Sequence, residues 1–245
     1  VISIISFATK GIKYGLDFTG GTLLEVAYET PVDLDKVRGA LEAGGYHGAV
    51  VQNFGSEKDI MIRMQREGTP TLGSDVLAVL QADGSRAELS RAEYVGPQVG
   101  DQLKSQGLLA LALAMIAVAI YVAFRFQLKF AFAANLALLH DVIITVGCFS
   151  LFGWEYDLNI LAAVLAVIGY SLNDTIVVYD RIRENMISMR KASMVEIINV
   201  AVSETLSRTI TTSFLAFLTV LALFFKGGEM LWGFSVALII GIIFG

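Results

Sequence analysis

Cysteine is almost missing from this chain. Cys148 is the only one in 245 residues and it sits in an apolar run, so there is no disulfide framework, no CxxC pair and no zinc spacing. Histidine is nearly as scarce, and His47 and His140 lie too far apart to suggest a metal site. Charged residues make up only 17% of the chain, and the basic ones form no cluster of the kind that tracks a phosphate backbone, which argues against nucleic-acid binding. What fills the space is apolar: 55% hydrophobic residues and a mean hydropathy of +0.65 suit a polytopic membrane protein rather than an ordinary soluble domain. The chain begins at Val1 without a basic leader and ends at Gly245 inside an apolar run of about 16 residues, where spanning takes ~20. Both ends read as cut, with residues 1–9 expected as the end of a transmembrane helix rather than a signal peptide.

The first hundred residues carry the shorter periods. The glycine-rich stretch Gly15-Leu16-Asp17-Phe18-Thr19-Gly20-Gly21 leads into the β-favouring run Thr22 to Tyr28. It lacks the Lys-Ser/Thr of a phosphate loop and does not follow a strand, so a tight backbone turn is the expectation, with Asp17, Gly20 and Gly21 as its marked residues. Asp33 is placed to cap a helix whose Leu34, Val37 and Leu41 share one face and which stops at Gly44-Gly45. Two strands, His47 to Phe54 and Asp59 to Met64, flank a turn at Gly55-Ser56; a helix at about Gly73 to Ala82 and a strand at Glu88 to Val95 follow. The order β-α-β-β-α-β predicts a ferredoxin-like α+β domain over residues 10–100, with no catalytic constellation in it.

Residues 101–245 read as membrane helices. Gly107 to Phe124 is uncharged and long enough to span; Phe130 to Trp154, Leu158 to Tyr179 and Thr209 to Phe225 follow, and a last run starts at Met230. Residues 181–206 mix charge with apolar Met189, Ile197, Ile198 and Val202, which predicts either an amphipathic helix along the inner surface or a plain connector. The loop after Arg125 and the loop from Arg181 to Lys191 hold six basic residues, whereas the opposite turns hold only Lys226. By the positive-inside rule those basic loops are cytoplasmic and the α+β domain is extracytoplasmic.

Within the spans a few charges stand out. Asp174 is the only acid between Leu158 and Tyr179, and a charge at membrane depth costs several kcal/mol unless paired or neutralised. Counting along each helix puts Asp174 ~24 Å and Arg208 ~25 Å below their outer ends. An Asp174–Arg208 ion pair is therefore open, with Thr205, Thr209 and Thr212 adding hydrogen bonds on that face; the other course for Arg208 is to snorkel to the inner interface. Asp141, only ~16 Å down, either forms an upper step of a proton relay or simply bonds His140 or a nearby Ser or Thr. For Asp174 the plain alternative is a packing role, satisfied by a neighbouring Ser or Asn.

Four stretches together carry a resemblance: Gly15 to Gly21, Val95-Gly96-Pro97-Gln98-Val99-Gly100, His140-Asp141-Val142 and Gly169-Tyr170-Ser171-Leu172-Asn173-Asp174. They resemble the SecF family, the smaller half of the SecDF protein-export complex in the resistance-nodulation-division superfamily, either as a separate subunit or as half of a fused chain. The resemblance implies a bacterial inner-membrane protein of six spans with a large external domain, no enzyme activity and no cofactor. It implies SecD, the SecYEG channel, preprotein, protons and lipid as partners, and a proton gradient that drives preprotein forward. It also implies that Asp174 and Arg208 are tied to proton movement, with Asp141 in the His-Asp-Val motif. A proton-driven small-molecule exporter of the same superfamily would share the charges but usually has larger external domains, and a passive membrane-complex scaffold would use the ion pair merely to hold helices together. An intramembrane aspartyl protease would need a Gly-x-Gly-Asp context, which Ser171-Leu172-Asn173 does not supply.

Overall fold

The computed structural model describes residues 2–54, 56–65, 69, 71–82 and 84–245; Val1 and Gly55, both named in the expectations above, lie outside them. Helix α1 (Ile2–Thr9) is followed by the two-residue strand β1 (Lys13–Tyr14) and the one-turn helix α2 (Leu16–Thr19). Next come β2 (Gly21–Tyr28), α3 (Leu34–Ala43), β3 (Val50–Phe54), β4 (Ser56–Met64), α4 (Leu72–Gln81) and β5 (Ala87–Val95). The helical part holds α5 (Pro97–Arg125), α6 (Leu128–Phe152), the short β6 (Glu155–Tyr156), α7 (Leu158–Ser188), α8 (Met194–Lys226) and α9 (Gly228–Phe244).

In residues 21–95 the four strands form one antiparallel sheet in the order β3-β4-β2-β5. Strand β2 alternates as its sequence alternates, so Leu24, Val26 and Tyr28 point to one face. Ile60, Ile62 and Met64 of β4 join them, and α3 and α4 cover that face with Val37, Leu41, Leu72, Val76 and Leu80. Each fully buried aliphatic side chain contributes roughly 1.5–3 kcal/mol, enough together for a core without disulfides. Asp33 does cap α3: its carboxylate accepts from the Asp35 N–H at 3.0 Å.

Four helices, α5 to α8, are long and apolar enough to cross a membrane among the described residues. Much of their apolar surface is open, with Leu109, Leu113, Ile116 and Ile120 on α5 and Ile210, Phe214, Leu215 and Leu218 on α8 exposed. Faces this apolar need lipid or another protein against them. Small residues let helices close up elsewhere: a Cβ on Gly241 of α9 would overlap the Val167 side chain of α7, and one on Gly147 of α6 would overlap Ser3 of α1. At one end of the bundle Gly153 takes a left-handed φ of 69° to end α6, and Trp154 then packs on Phe149, Phe152 and Trp232.

Two expectations differ from what is found. Residues 181–206 are neither a surface-lying helix nor a loop. Residues 181–188 complete α7, 189–193 make the turn, and Met194 onward already belongs to α8, whose start Ser193 caps by accepting from Glu196 N–H. Continuity wins because Ile182, Ile197 and Ala201 bury one another between the two helices. The second difference concerns residues 10–20, expected within the α+β domain. They pack with the helices instead: β1 pairs in parallel with β6, and Phe18 lies in the same cluster as Leu138, Val142, Ile160 and Val164.

Candidate functional site

The intramembrane polar groups sit where α6, α7, α8 and α9 meet. Asp141 on α6 is buried, and its carboxylate accepts from the Ser171 hydroxyl of α7 at 2.7 Å. The His140 ring lies 3.0 Å from its other oxygen, with most of the imidazole exposed. Gly245, just past the end of α9, comes near the same carboxylate: a Cβ there would stand 3.2 Å from it. The alternative of a hydrogen bond to His140 and to a serine therefore describes the geometry of Asp141, leaving its part in any relay open to test.

Asp174 lies three residues beyond Ser171 on the same helix, one turn or ~4.5 Å further along. It is half-buried, with the Ser213 hydroxyl of α8 as a hydrogen-bonding neighbour and the Arg208 charge acting on it from α8. No ion pair of 4.0 Å or less joins Asp174 to Arg208 among the described residues. The equal depths expected from the sequence need correcting. Asp174 is level with Ser213, which puts Arg208, itself exposed, five residues or ~7.5 Å nearer the α7–α8 turn. The offset is set lower down, where Asn185 of α7 donates to Glu204 of α8 at 3.0 Å and Arg181 approaches the same carboxylate at 3.5 Å. Counting from the ends of apolar runs cannot register that offset.

Two of the three threonines expected beside the guanidinium bond elsewhere. Thr205 donates to the Ala201 and Val202 carbonyls and Thr212 to those of Arg208 and Thr209, so both return to their own helix. Ser171 and Ser213 are the polar groups that matter here. Ser171 was legible, since spacing i, i+3 puts it on the face of Asp174; Ser213 was not.

The glycine-rich stretch forms a second polar assembly. Asp17 is on α2 rather than in a turn of the sheet, and its carboxylate accepts from the Leu158 N–H at 3.1 Å, the first residue of α7. Asp157, the N-cap, accepts from Ile160 N–H at 2.9 Å. Burial pushes the Asp157 carboxyl up, with the neighbouring Asp17 charge adding to this, while the Ile160 hydrogen bond and the Arg63 charge work against it. Tyr156 stacks on Phe18 at 6.0 Å, and burial pushes its phenol up as well. Gly20, at φ 74°, and Gly100 make the approach possible: a Cβ on Gly20 would come within 2.9 Å of Pro97, and one on Gly100 within 2.9 Å of the Phe18 carbonyl. Arg63 of β4 adds an ion pair to Glu155 of β6 at 3.1 Å. No group of three or more potential metal ligands is found among the described residues.

The family profile described as "Protein export membrane protein SecD/SecF, C-terminal" matches residues 75–245, and that of the "SecD/SecF GG Motif" matches 5–32, which contains Asp17, Gly20 and Gly21. The protein translocase subunit SecF of Pseudomonas aeruginosa is 55% identical over 247 positions, covering 100% of this chain and 80% of that protein. That of Escherichia coli O157:H7 is 44% identical over 250, covering 100% and 77%. The crystal structure of SecDF, a translocon-associated membrane protein from Thermus thermophilus, superposes with a TM-score of 0.85 at 35% identity over 99% of this chain. SecDF in its super-membrane-facing form gives 0.73 at the same identity. The chain spans 34% of the length of each SecDF chain. With this identity held along the whole of its length, the chain belongs to the SecF family of protein export membrane proteins.

Proposed function

We propose that this protein is an accessory subunit of Sec-dependent protein export that couples the proton motive force to movement of an extracytoplasmic domain. SecD, or a SecD half of the same chain, is its immediate partner; SecYEG and the emerging preprotein are the others, in a bacterial inner membrane. The relatives' designation as protein translocase subunits and the SecDF superposition support this. Residues 21–95 are the moving domain and are ferredoxin-like, a reading supported by the β-α-β-β-α-β order and the sheet order β3-β4-β2-β5. Its extracytoplasmic side is supported by Arg181, Arg183, Arg190 and Lys191 at the opposite end of α7. The role is mechanical, with no catalytic residue and no cofactor.

The observation that carries the proton reading is the loose pairing of Asp174. It has the Ser213 hydroxyl and the Arg208 charge as neighbours, with no ion pair within 4.0 Å among the described residues. A carboxyl so placed changes its proton affinity as the arginine approaches or withdraws, because an adjacent positive charge favours the ionised form and desolvation the neutral one. One charge crossing 100 mV releases ~2.3 kcal/mol, which at 1.4 kcal/mol per decade biases a two-state equilibrium by roughly fiftyfold. Asp141, held by Ser171 one turn away, is the next group in reach of a proton on that path.

The test is gradient-dependent preprotein export in membrane vesicles carrying full-length Asp174→Asn beside wild type at matched expression. Loss of the gradient-stimulated part, with partner assembly intact, is expected. Export at the wild-type level would reduce Asp174 to a packing residue.

A further inference from the structure

The helix that carries Asp174 begins beside the segment that leads into the sheet, and a side chain of that segment holds its first N–H. Helix α7 runs unbroken from Leu158 to Ser188, with Ser171 and Asp174 ~20 and ~24 Å along it. Its first N–H, at Leu158, is one of the four that an α-helix leaves without an internal partner. That N–H is taken by Asp17 from 141 residues away in sequence. The connection to the sheet is short. Phe18 is buried between Tyr14 and Tyr156, Gly20 and Gly100 press α2 against the start of α5, and Gly21 opens β2, which lies between β4 and β5 in the sheet.

We propose that Asp17 is the coupling residue: its hydrogen bond to the first N–H of α7 transmits displacement of the Asp174 helix to β2 and so to the whole sheet domain. A hydrogen-bonded helix is a stiff rod along its axis, so a shift at Asp174 arrives at Leu158 nearly undiminished. What happens there depends on attachment. Asp157 belongs to the loop that α7 itself continues, so its cap cannot pass motion to another unit. Asp17 belongs to the segment that enters the sheet. The β1–β6 pairing, the Gly15 N–H bond to the Tyr156 carbonyl and the partly exposed Arg63–Glu155 pair are further contacts, but they reach the loop before α7 and not the helix itself. A carboxylate at a helix N-terminus is also favoured by the helix dipole, which makes this bond stronger than a neutral one. Asp17 touches no proton-carrying group. It is a positioning residue that acts through α7.

The inference rests on the proton reading above, and its test separates the two. Proton uptake and preprotein export are measured in the same vesicles, with full-length protein and its partners. Asp17→Ala is expected to take up protons like wild type while its gradient-stimulated export falls about tenfold, the bias that a charge-assisted hydrogen bond supplies. Asp17→Asn keeps a side-chain oxygen acceptor and is expected to restore most of that export. Leu158→Pro removes the donor instead: proline is well tolerated at the first helical position, and Asp157, at φ −114° and ψ −176°, already has the extended backbone that a following proline requires. It should show the same uncoupling even if Asp17→Ala fails to assemble. Asp174→Asn, run in parallel, should lose both readouts; if it loses neither, the proton reading fails whatever Asp17 does. If Asp174→Asn behaves as expected but the Asp17 and Leu158 variants lose uptake together with export, or keep both, Asp17 is a structural cap and the coupling proposal is overturned.

Discussion

Ser171 and Asp141 are joined across the α6–α7 interface by a 2.7 Å hydrogen bond between two buried side chains, and Asp174 follows Ser171 by one turn. The serine thereby fixes the height of one acid against the other. Sequence depths put the two acids ~8 Å apart, whereas the bonded serine stands only ~4.5 Å above Asp174 along the helix. A step of that size is within reach of a water or a rotating side chain.

Ser171→Ala leaves one Asp141 oxygen buried without its donor. A loss of ~1–3 kcal/mol is expected, read as a lower midpoint of thermal unfolding in detergent. Thr145→Val is the comparison, because the Thr145 hydroxyl donates to the Asp141 backbone carbonyl and not to the carboxylate. It should cost less; an equal or larger loss would mean that the carboxylate is satisfied in some other way.

Asp157 gives a pH dependence with a definite sign. Its carboxyl is raised above 3.8 in the folded protein, so between that value and the raised one the folded state binds more protons than the unfolded chain. Stability from this group is therefore gained on acidification and lost as pH rises through the raised value. Asp157→Asn keeps an acceptor for the Ile160 N–H and removes the titration. The difference in unfolding midpoint between wild type and variant should move in favour of wild type as the pH falls from neutral toward 4, and a flat difference would contradict this.

Gly100 and Gly39 should respond in opposite directions. Gly100→Val pushes a branched side chain into the Phe18 carbonyl and should cost ~1–3 kcal/mol by overpacking. Gly39 lies mid-helix in α3 with nothing within 4 Å of its Cβ position, so Gly39→Ala should stabilise by up to ~1 kcal/mol. Denaturant midpoints of the two variants decide it. A tolerated Gly100→Val would mean that α2 and α5 can separate without cost.

Arg125 and Asp180 pair at 2.8 Å between α5 and α7, both about two-fifths exposed. A double-mutant cycle with alanines should return a coupling of only ~0.2–1 kcal/mol that shrinks with added salt. A larger, salt-insensitive value would identify this pair as a lock between α5 and α7.

The regular elements were legible because each is set by local periodicity and punctuation. Asp33 before Leu34, Val37 and Leu41, with Gly44-Gly45 behind them, specifies a ten-residue helix with little help from elsewhere. Alternation in Leu24, Val26 and Tyr28 does the same for β2. The apolar runs from Gly107 to Phe124, uncharged, and from Leu158 to Tyr179, broken only by Asp174, announced α5 and α7 by length. The Arg181 to Leu206 stretch misled because its charges read as a surface segment, whereas a buried seam of Ile182, Ile197 and Ala201 carries both helices through it.

By itself, then, the sequence determined that this chain spans a membrane, carries an α+β unit before its long helices and holds Asp141, Asp174 and Arg208 within apolar runs, because burial cost and periodicity act on neighbouring residues. Only the tertiary structure decided which of those groups meet. Asp174 has Ser213 beside it without closing an ion pair to Arg208, Asp141 is claimed by Ser171, and Asp17 on α2 holds the end of α7. Each of these depends on the axial offset and rotation of one helix against another. Those are set by interlocking side chains and close glycine contacts far apart in the chain, and a one-dimensional pattern carries no measure of them.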